Sequence, residues 1–148
     1  MIIRKATKKD LKNIAELFLE YGKYENSLNK EVEAGSLKQI IKEEKEHMGL
    51  GTEYFVVEEN KKVLGVLNIN VDRRGKEKVG VLHTLIIKKE ARNKGYGKQL
   101  VDYALIYFKK KNCKRARTFI HISNKNALGF WKKQGFHTEE GYAASRKL

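Results

Sequence analysis

The chain reads as one α/β or α+β domain on a central mixed sheet. Three observations predict it. Apolar, β-branched runs recur at 54–57, 62–69, 79–87 and 116–122. Stretches with helical spacing alternate with them in the order β-α-α-β-β-β-α-β-α-β-β. A basic turn with two glycines, Arg92-Asn93-Lys94-Gly95-Tyr96-Gly97, joins one of those runs to an amphipathic stretch.

The elements follow in order. Residues 2–6, Ile-Ile-Arg-Lys-Ala, form a short first strand. Thr7 with Asp10 three residues on predicts a capped helix start, because the hydroxyl and the carboxylate can each take an orphan backbone N–H. Leu11, Ile14, Ala15, Leu17 and Phe18 carry helical spacing to about Tyr24. A polar stretch from Glu25 to Glu33 follows, then a second helix on Leu37, Ile40, Ile41 and Met48. The strand at 54–57 turns tightly at Glu59-Asn60-Lys61 into its hairpin partner at 62–69. Arg73-Arg74-Gly75 turns again into the strand at 79–87. A helix from Gly95 to about Lys111 puts Leu100, Val101, Ala104, Leu105 and Phe108 on one face. After the strand at 116–122, Ser123 or Asn124 caps a helix that runs to Gln134, and Gly135 stops it. Residues 136–148 form two short strands.

Composition bounds the class. A chain of 148 residues with 41% hydrophobic content forms one domain with a real core. No apolar run approaches the roughly 20 residues a membrane span needs. Arg4 and Lys5 stand where a signal peptide would carry its apolar centre, so a cytoplasmic location is expected. The single cysteine, Cys113, excludes an intramolecular disulfide and fits a reducing compartment. The net charge of +14 could serve nucleic acid, an anionic surface or an anionic cofactor. Its lysines are spread along the whole chain, and no helix-turn-helix, RNP or zinc-finger signature accompanies them. The four histidines lack metal-ligand spacing, and no metal is expected.

The glycine turn is the chemical feature. A P-loop would need glycine at Arg92 and a hydroxyl at Gln99; a dinucleotide fingerprint would need a small residue at Leu100. Neither pattern is met. R-x-x-G-x-G between a strand and a helix remains. Gly95 and Gly97 allow a ligand close to the backbone, and N–H groups from about Asn93 to Lys98 could converge on a pyrophosphate. Arg92, Lys94 and Lys98 add positive charge. The same residues would also make an ordinary strand–helix loop.

A second segment, Asn124-Lys125-Asn126-Ala127-Leu128-Gly129-Phe130-Trp131-Lys132-Lys133-Gln134-Gly135-Phe136, has the form N-x-x-A-x-x-F-W-x-x-x-G-F. Together the two segments resemble the GCN5-related N-acetyltransferase (GNAT) family. The resemblance covers nearly the whole chain in element order and residues 83–136 in motifs. It implies a mostly antiparallel sheet with one splayed parallel pair, the strands at 79–87 and 116–122, flanked by about four helices. Acetyl-coenzyme A would lie in the splay, its pantetheine arm beside Leu85, Ile86 and Ile87 and its pyrophosphate on the turn from Arg92 to Lys98, Tyr96 included. Asn124, Ala127, Phe130 and Trp131 would flank it. The implied reaction is direct acetyl transfer to the amine of a small molecule or peptide. A base takes the amine's proton, backbone N–H holds the oxyanion and an acid protonates the thiolate.

Two positions depart from the family's common pattern. His83 stands where a glutamate is frequent; histidine can act as base near neutral pH, or can simply be a satisfied sheet residue. Trp131 replaces a frequent tyrosine acid, and indole N–H is a donor but no useful acid, so Tyr142 is the substitute considered. In the family the first two helices and the last hairpin shape the acceptor site. Tyr21, Tyr24, Glu25, Glu31 and Glu33 fall there and would suit a cationic amine, although a mobile polar loop reads the same. Glu139 and Glu140 lie in the last hairpin. Homodimers are common in such families, but no interface stripe stands out. Two other readings stay open: a coenzyme A-binding protein without catalysis, and a basic nucleic-acid-binding domain.

Overall fold

A computed structural model describes residues 1–28, 35–121, 123–138 and 143–148. Among the described residues, seven strands and four α-helices follow the expected order. The strands are β1 (Ile2–Lys5), β2 (Glu53–Glu59), β3 (Lys62–Arg74), β4 (Glu77–Ile87), β5 (Arg115–Phe119), β6 (His137–Thr138) and β7 (Ala143–Lys147). The helices are α1 (Leu11–Leu28), α2 (Leu37–Gly49), α3 (Tyr96–Lys110) and α4 (Lys125–Lys133). They surround one sheet ordered β1-β2-β3-β4-β5-β7-β6. Every pairing is antiparallel except β4 with β5, which α3 connects.

The sheet buries both faces. On one, Phe55, Leu67, Ile69 and Leu82 pack with Leu100, Val101, Ala104 and Phe108 of α3. On the other, Tyr54, Val56, Val66 and Ile86 meet Ile14 and Leu17 of α1. Burial of such a side chain contributes about 1.5–3 kcal/mol, so the helical spacing read in 11–18 and 100–108 is where these helices gain their stability. Gly80 lets α3 come close, since a β-carbon there would stand 2.4 Å from the Phe108 ring.

Local signals act as expected. Thr7 N–H donates to Asp10 Oδ2 at 2.8 Å, and Arg4 clasps the same carboxylate through both terminal nitrogens while also reaching Glu58. Asn60 and Lys61 take positive φ, 51° and 62°, as a two-residue hairpin closed by Glu59 and Lys62 requires. Ser36 caps α2 and Asn124 caps α4, each accepting from the backbone N–H three residues on. Gly135, at φ 81°, follows α4.

Three element C-termini differ by three residues or more. Helix α1 continues through Glu25 to Leu28 instead of ending near Tyr24, because those polar residues include no glycine or proline to stop it. Strand β3 runs on to Arg74, where it and β4 form an arm paired from Asn70 with Val81 to Arg74 with Glu77. Its residues past Asn70 are exposed, so apolar alternation gave no sign of it. Strand β5 ends at Phe119, and Ile122 lies outside the described residues.

Candidate functional site

Pairing of β4 with β5 covers only Val79 to Leu82 against Arg115 to Thr118. Beyond Leu82 the two strands part, leaving β4's edge on that side without a strand partner as far as Ile87, whose carbonyl Arg92 takes. An irregularity in the other ladder marks the same point. Leu67 pairs with Leu85 and Ile69 with Leu82, so Asn68 alone opposes both His83 and Thr84. This is a β-bulge, which bends its strand and leaves a backbone donor unpaired. Asn68, buried at 8% exposure, supplies the missing acceptor: its Oδ1 takes Thr84 N–H at 2.7 Å.

The parted strands open a cleft of about 1000 Å³ that reaches from α1 to α4. Its floor is β4, with His83, Leu85, Ile86 and Ile87. One wall is the turn into α3, with Arg92, Asn93, Gly95, Tyr96, Gly97 and Lys98. The opposite wall is β5 and α4, with Asn124, Ala127, Phe130 and Trp131. Of the residues singled out in the sequence, Lys94 is exposed on the turn and does not line the cleft. Tyr142, Glu31, Glu33, Glu139 and Glu140 lie outside the described residues.

The turn has the backbone of an anion cradle. Asn93 and Gly95 take positive φ, 62° and 80°, and Gly95 is the N-cap of α3 without a side chain to cap it. Gln99 N–H bonds Gly95 O, so the N–H groups of Tyr96, Gly97 and Lys98 precede the first intrahelical bond, at the positive end of the dipole. A β-carbon on Gly97 would sit between Phe130, at 3.5 Å, and Leu85, at 3.6 Å. That glycine therefore leaves empty the space where the two walls meet. Arg92 braces the turn by donating its Nε to Ile87 O at 3.0 Å, and Lys98 pairs with Asp102 one turn on.

His83 projects into the cleft with Nε2 2.9 Å from Asn70 Oδ1, an oxygen that also accepts from Thr52 Oγ1 at 3.1 Å. Burial lowers the pKa of the imidazole below its ordinary value. Asp72 opposes that shift and His47 adds to it. A shift in that direction favours the neutral ring. With Nε2–H donated to Asn70, the Nδ1 lone pair is left to accept a proton.

Trp131 is 7% exposed and packs edge-on against Phe130 and Phe136, so most of its indole belongs to the core. Cys113 is buried in the α3-side core away from the cleft, and burial pushes its thiol pKa up, which removes it as a nucleophile. Among the described residues, no three His, Cys, Asp or Glu side chains converge to hold a metal, and no helix is long and apolar enough to cross a membrane.

Sequence reasoning missed part of the lining. Thr118, Phe119, Ile120 and His121 come from β5 and the chain after it, and Asn126 comes from α4. Tyr21, Tyr24 and Glu25 of α1 close the far end, and Glu25 is the one carboxylate on the cleft wall among the described residues. Burial, helped by the Glu25 carboxylate, holds the Tyr21 phenol well above the usual tyrosine range. The lining thus combines Arg92 and Lys98 on the turn into α3 with Glu25 on α1.

A model of the acetyltransferase (GNAT) family matches residues 12–136. An uncharacterized N-acetyltransferase of Methanocaldococcus jannaschii is 26% identical over 93% of this chain, and the chain spans 61% of that relative's length. Two solved structures share the fold. The PaiA N-acetyltransferase of Thermoplasma acidophilum, in complex with coenzyme A, superposes with a TM-score of 0.82 at 21% identity, covering 99% of this chain and 98% of that one. The ribosomal-protein-alanine N-acetyltransferase of Brucella melitensis gives 0.76 at 17% identity, with both chains covered completely.

Proposed function

The chain belongs to the acetyltransferase (GNAT) family, and on that premise we propose that it transfers an acetyl group from acetyl-coenzyme A to a primary amine, with His83 as the base. The observation that carries this reading is the coincidence of three features in one cleft. These are an open strand edge past Leu82, an uncapped helix start at Gly95, and a histidine that lines the same cleft as both.

The residues fit the cofactor. The open edge of β4 at 83–87 would pair with its amide-rich arm, as an added strand pairs with a sheet edge. The N–H groups of Tyr96 to Lys98, with Arg92 and Lys98, would hold its pyrophosphate in the space that Gly97 leaves free. Asn124, Ala127 and Phe130 would close over it from α4. The bound thioester would supply an activated acetyl carbon. His83 Nδ1 would take a proton from the attacking ammonium, directly or through water. The buried Trp131 offers no acid at the place where one is common in the family, so proton return to the thiolate falls to water or to Tyr142.

The acceptor we infer is a cationic amine, either a small molecule or a peptide end, drawn to Glu25 between Tyr21 and Tyr24. A coenzyme A-binding protein without turnover is the second reading, favoured by the packed Trp131. Thermal shift with acetyl-coenzyme A, coenzyme A and ATP, then a thiol-release assay over an amine panel, tests both. Failure of every coenzyme A species to stabilise the protein would sink them together. Stabilisation with no turnover across the panel favours the second.

A further inference from the structure

Behind the bulge runs a chain of buried polar groups that the proposed chemistry does not use directly. Thr84 N–H donates to Asn68 Oδ1 at 2.7 Å. Tyr54 is the cross-strand partner of Asn68, and with its oxygen so occupied Asn68 turns its amide nitrogen towards the phenolic oxygen, a contact that opposes the effect of burial on the Tyr54 pKa. The Tyr54 hydroxyl donates in turn to Glu44 Oε2 on α2. Tyr54 is 1% exposed, Glu44 5% and Asn68 8%. Every hydrogen in the chain points the same way, towards one buried carboxylate. At its outer end His47 Nδ1 lies 3.5 Å from Glu44 Oε2.

We propose that Glu44, Tyr54 and Asn68 are positioning residues that hold the bulge of β4, and through it the place of His83 and of the open strand edge in the cleft. The inference rests on reading that cleft as the acetyl-transfer site. The physical argument starts from what a purely structural role would require. Phenylalanine at 54 and an aliphatic residue at 44 would fill the same space without burying a charge, which is expensive unless the charge is paired. The bulge, by contrast, leaves Thr84 N–H without a strand partner, and a buried backbone donor needs an acceptor. An asparagine amide can present either its oxygen or its nitrogen there. Turning the nitrogen inward would set two donors against each other. Glu44 fixes the Tyr54 hydroxyl, and that hydroxyl fixes the amide with its oxygen towards Thr84. Asn70, two residues along the same face of β3, then meets His83, which occupies the other bulge position.

The test uses the unliganded protein first, so that it does not depend on knowing the acceptor. Tyr54→Phe removes one oxygen and keeps the volume; Asn68→Ala removes the acceptor itself. Val63→Ala, in the α1-side core at 5% exposure, serves as a control for general destabilisation. Hydrogen exchange of the Thr84 amide, referenced to core amides of α3, and the imidazole resonances of His83 are read by NMR. Coenzyme A affinity follows. The relay predicts that in Asn68→Ala and Tyr54→Phe the Thr84 amide loses about tenfold more protection than the core amides, as expected when a buried donor loses or loosens its partner. It also predicts displaced His83 resonances and weaker coenzyme A binding, with Val63→Ala changing none of these relative to its core amides. If Tyr54→Phe and Asn68→Ala behave like Val63→Ala, the relay is wrong. Should Asn68→Ala fail to fold, Tyr54→Phe decides alone. If the parent protein binds no coenzyme A yet the amide and imidazole effects appear, the relay stands and the cofactor reading falls.

Discussion

Replacing Gly97 by glutamate should leave the fold at least as stable while removing its grip on coenzyme A. The position lies inside α3, and a β-carbon there would make only ordinary contacts, 3.5 Å to Phe130 and 3.6 Å to Leu85. Losing a helical glycine stabilises by about 0.5–1 kcal/mol, and an acid in the first turn of a helix interacts favourably with its dipole. For a domain of this size that amounts to a rise in Tm of about 1–4 °C. The ligand experiences the opposite. A carboxylate about 5 Å from one phosphate charge, at an effective dielectric of about 20, costs about 3 kcal/mol. Halved for salt screening, one such charge weakens binding about tenfold and two weaken it more than about a hundredfold. Gly97→Ala, which adds bulk without charge, should fall between. Melting curves without ligand and calorimetric titration with coenzyme A measure the two effects separately. A folded Gly97→Glu protein that binds coenzyme A within about threefold of the parent would refute the assignment of the turn as the pyrophosphate cradle.

His83→Ala should lower turnover at least about a hundredfold, as loss of a general base does, with little change in coenzyme A affinity; equal turnover at every pH would remove His83 as the base. Because the folded imidazole titrates below its ordinary 6.5, activity should hold through neutral pH and fall only on an acid limb below that value, and the stability His83 lends the fold is likewise lost as pH drops through its lowered pKa. Gly80→Ala should destabilise by about 1–3 kcal/mol, since its β-carbon would meet the Phe108 ring at 2.4 Å, and a melting temperature unchanged within error would contradict that packing. Asp10, whose pKa is lowered chiefly by its hydrogen bonds from Arg4, stabilises the fold above about pH 4 and loses that effect as it protonates. Asp10→Asn should therefore destabilise at neutral pH and match the parent in strong acid, by melts across pH.

The fold and the glycine-turn wall of the cleft were legible because their signals are local. Helical spacing, a capping box, a two-residue hairpin and a glycine turn after a strand are each written within about ten residues. The bulge was not, since it exists only in the register of β3 against β4, and nothing in Leu82 to Leu85 alone announces a residue too many. A partial signal was available: Asn68 and Asn70 are polar residues in an otherwise apolar run, and a buried asparagine usually has a backbone group to satisfy. The acidic end was half legible. Tyr21, Tyr24 and Glu25 were singled out as a group, but not as the continuation of a helix. Only the extension of α1 past Tyr24 places Glu25 one turn beyond Tyr21 at the end of the cleft. Trp131 and Phe130 are neighbours in sequence and serve differently, one mainly core and the other wall, a division set by helix rotation that residue type does not reveal.

The outer strands of the sheet have a consequence of their own. The two edges are β1, four residues that include Arg4 and Lys5, and β6, two residues. A strand edge is a template on which another chain can polymerise, and length and apolar flatness are what make it dangerous. Here the long apolar strands are interior, and the rim at β1 is short and charged. The open edge of β4 past Leu82 faces a cleft lined by the start of α3 and by α4. The backbone groups left open in the middle of the sheet thus sit inside a cleft and not on its rim.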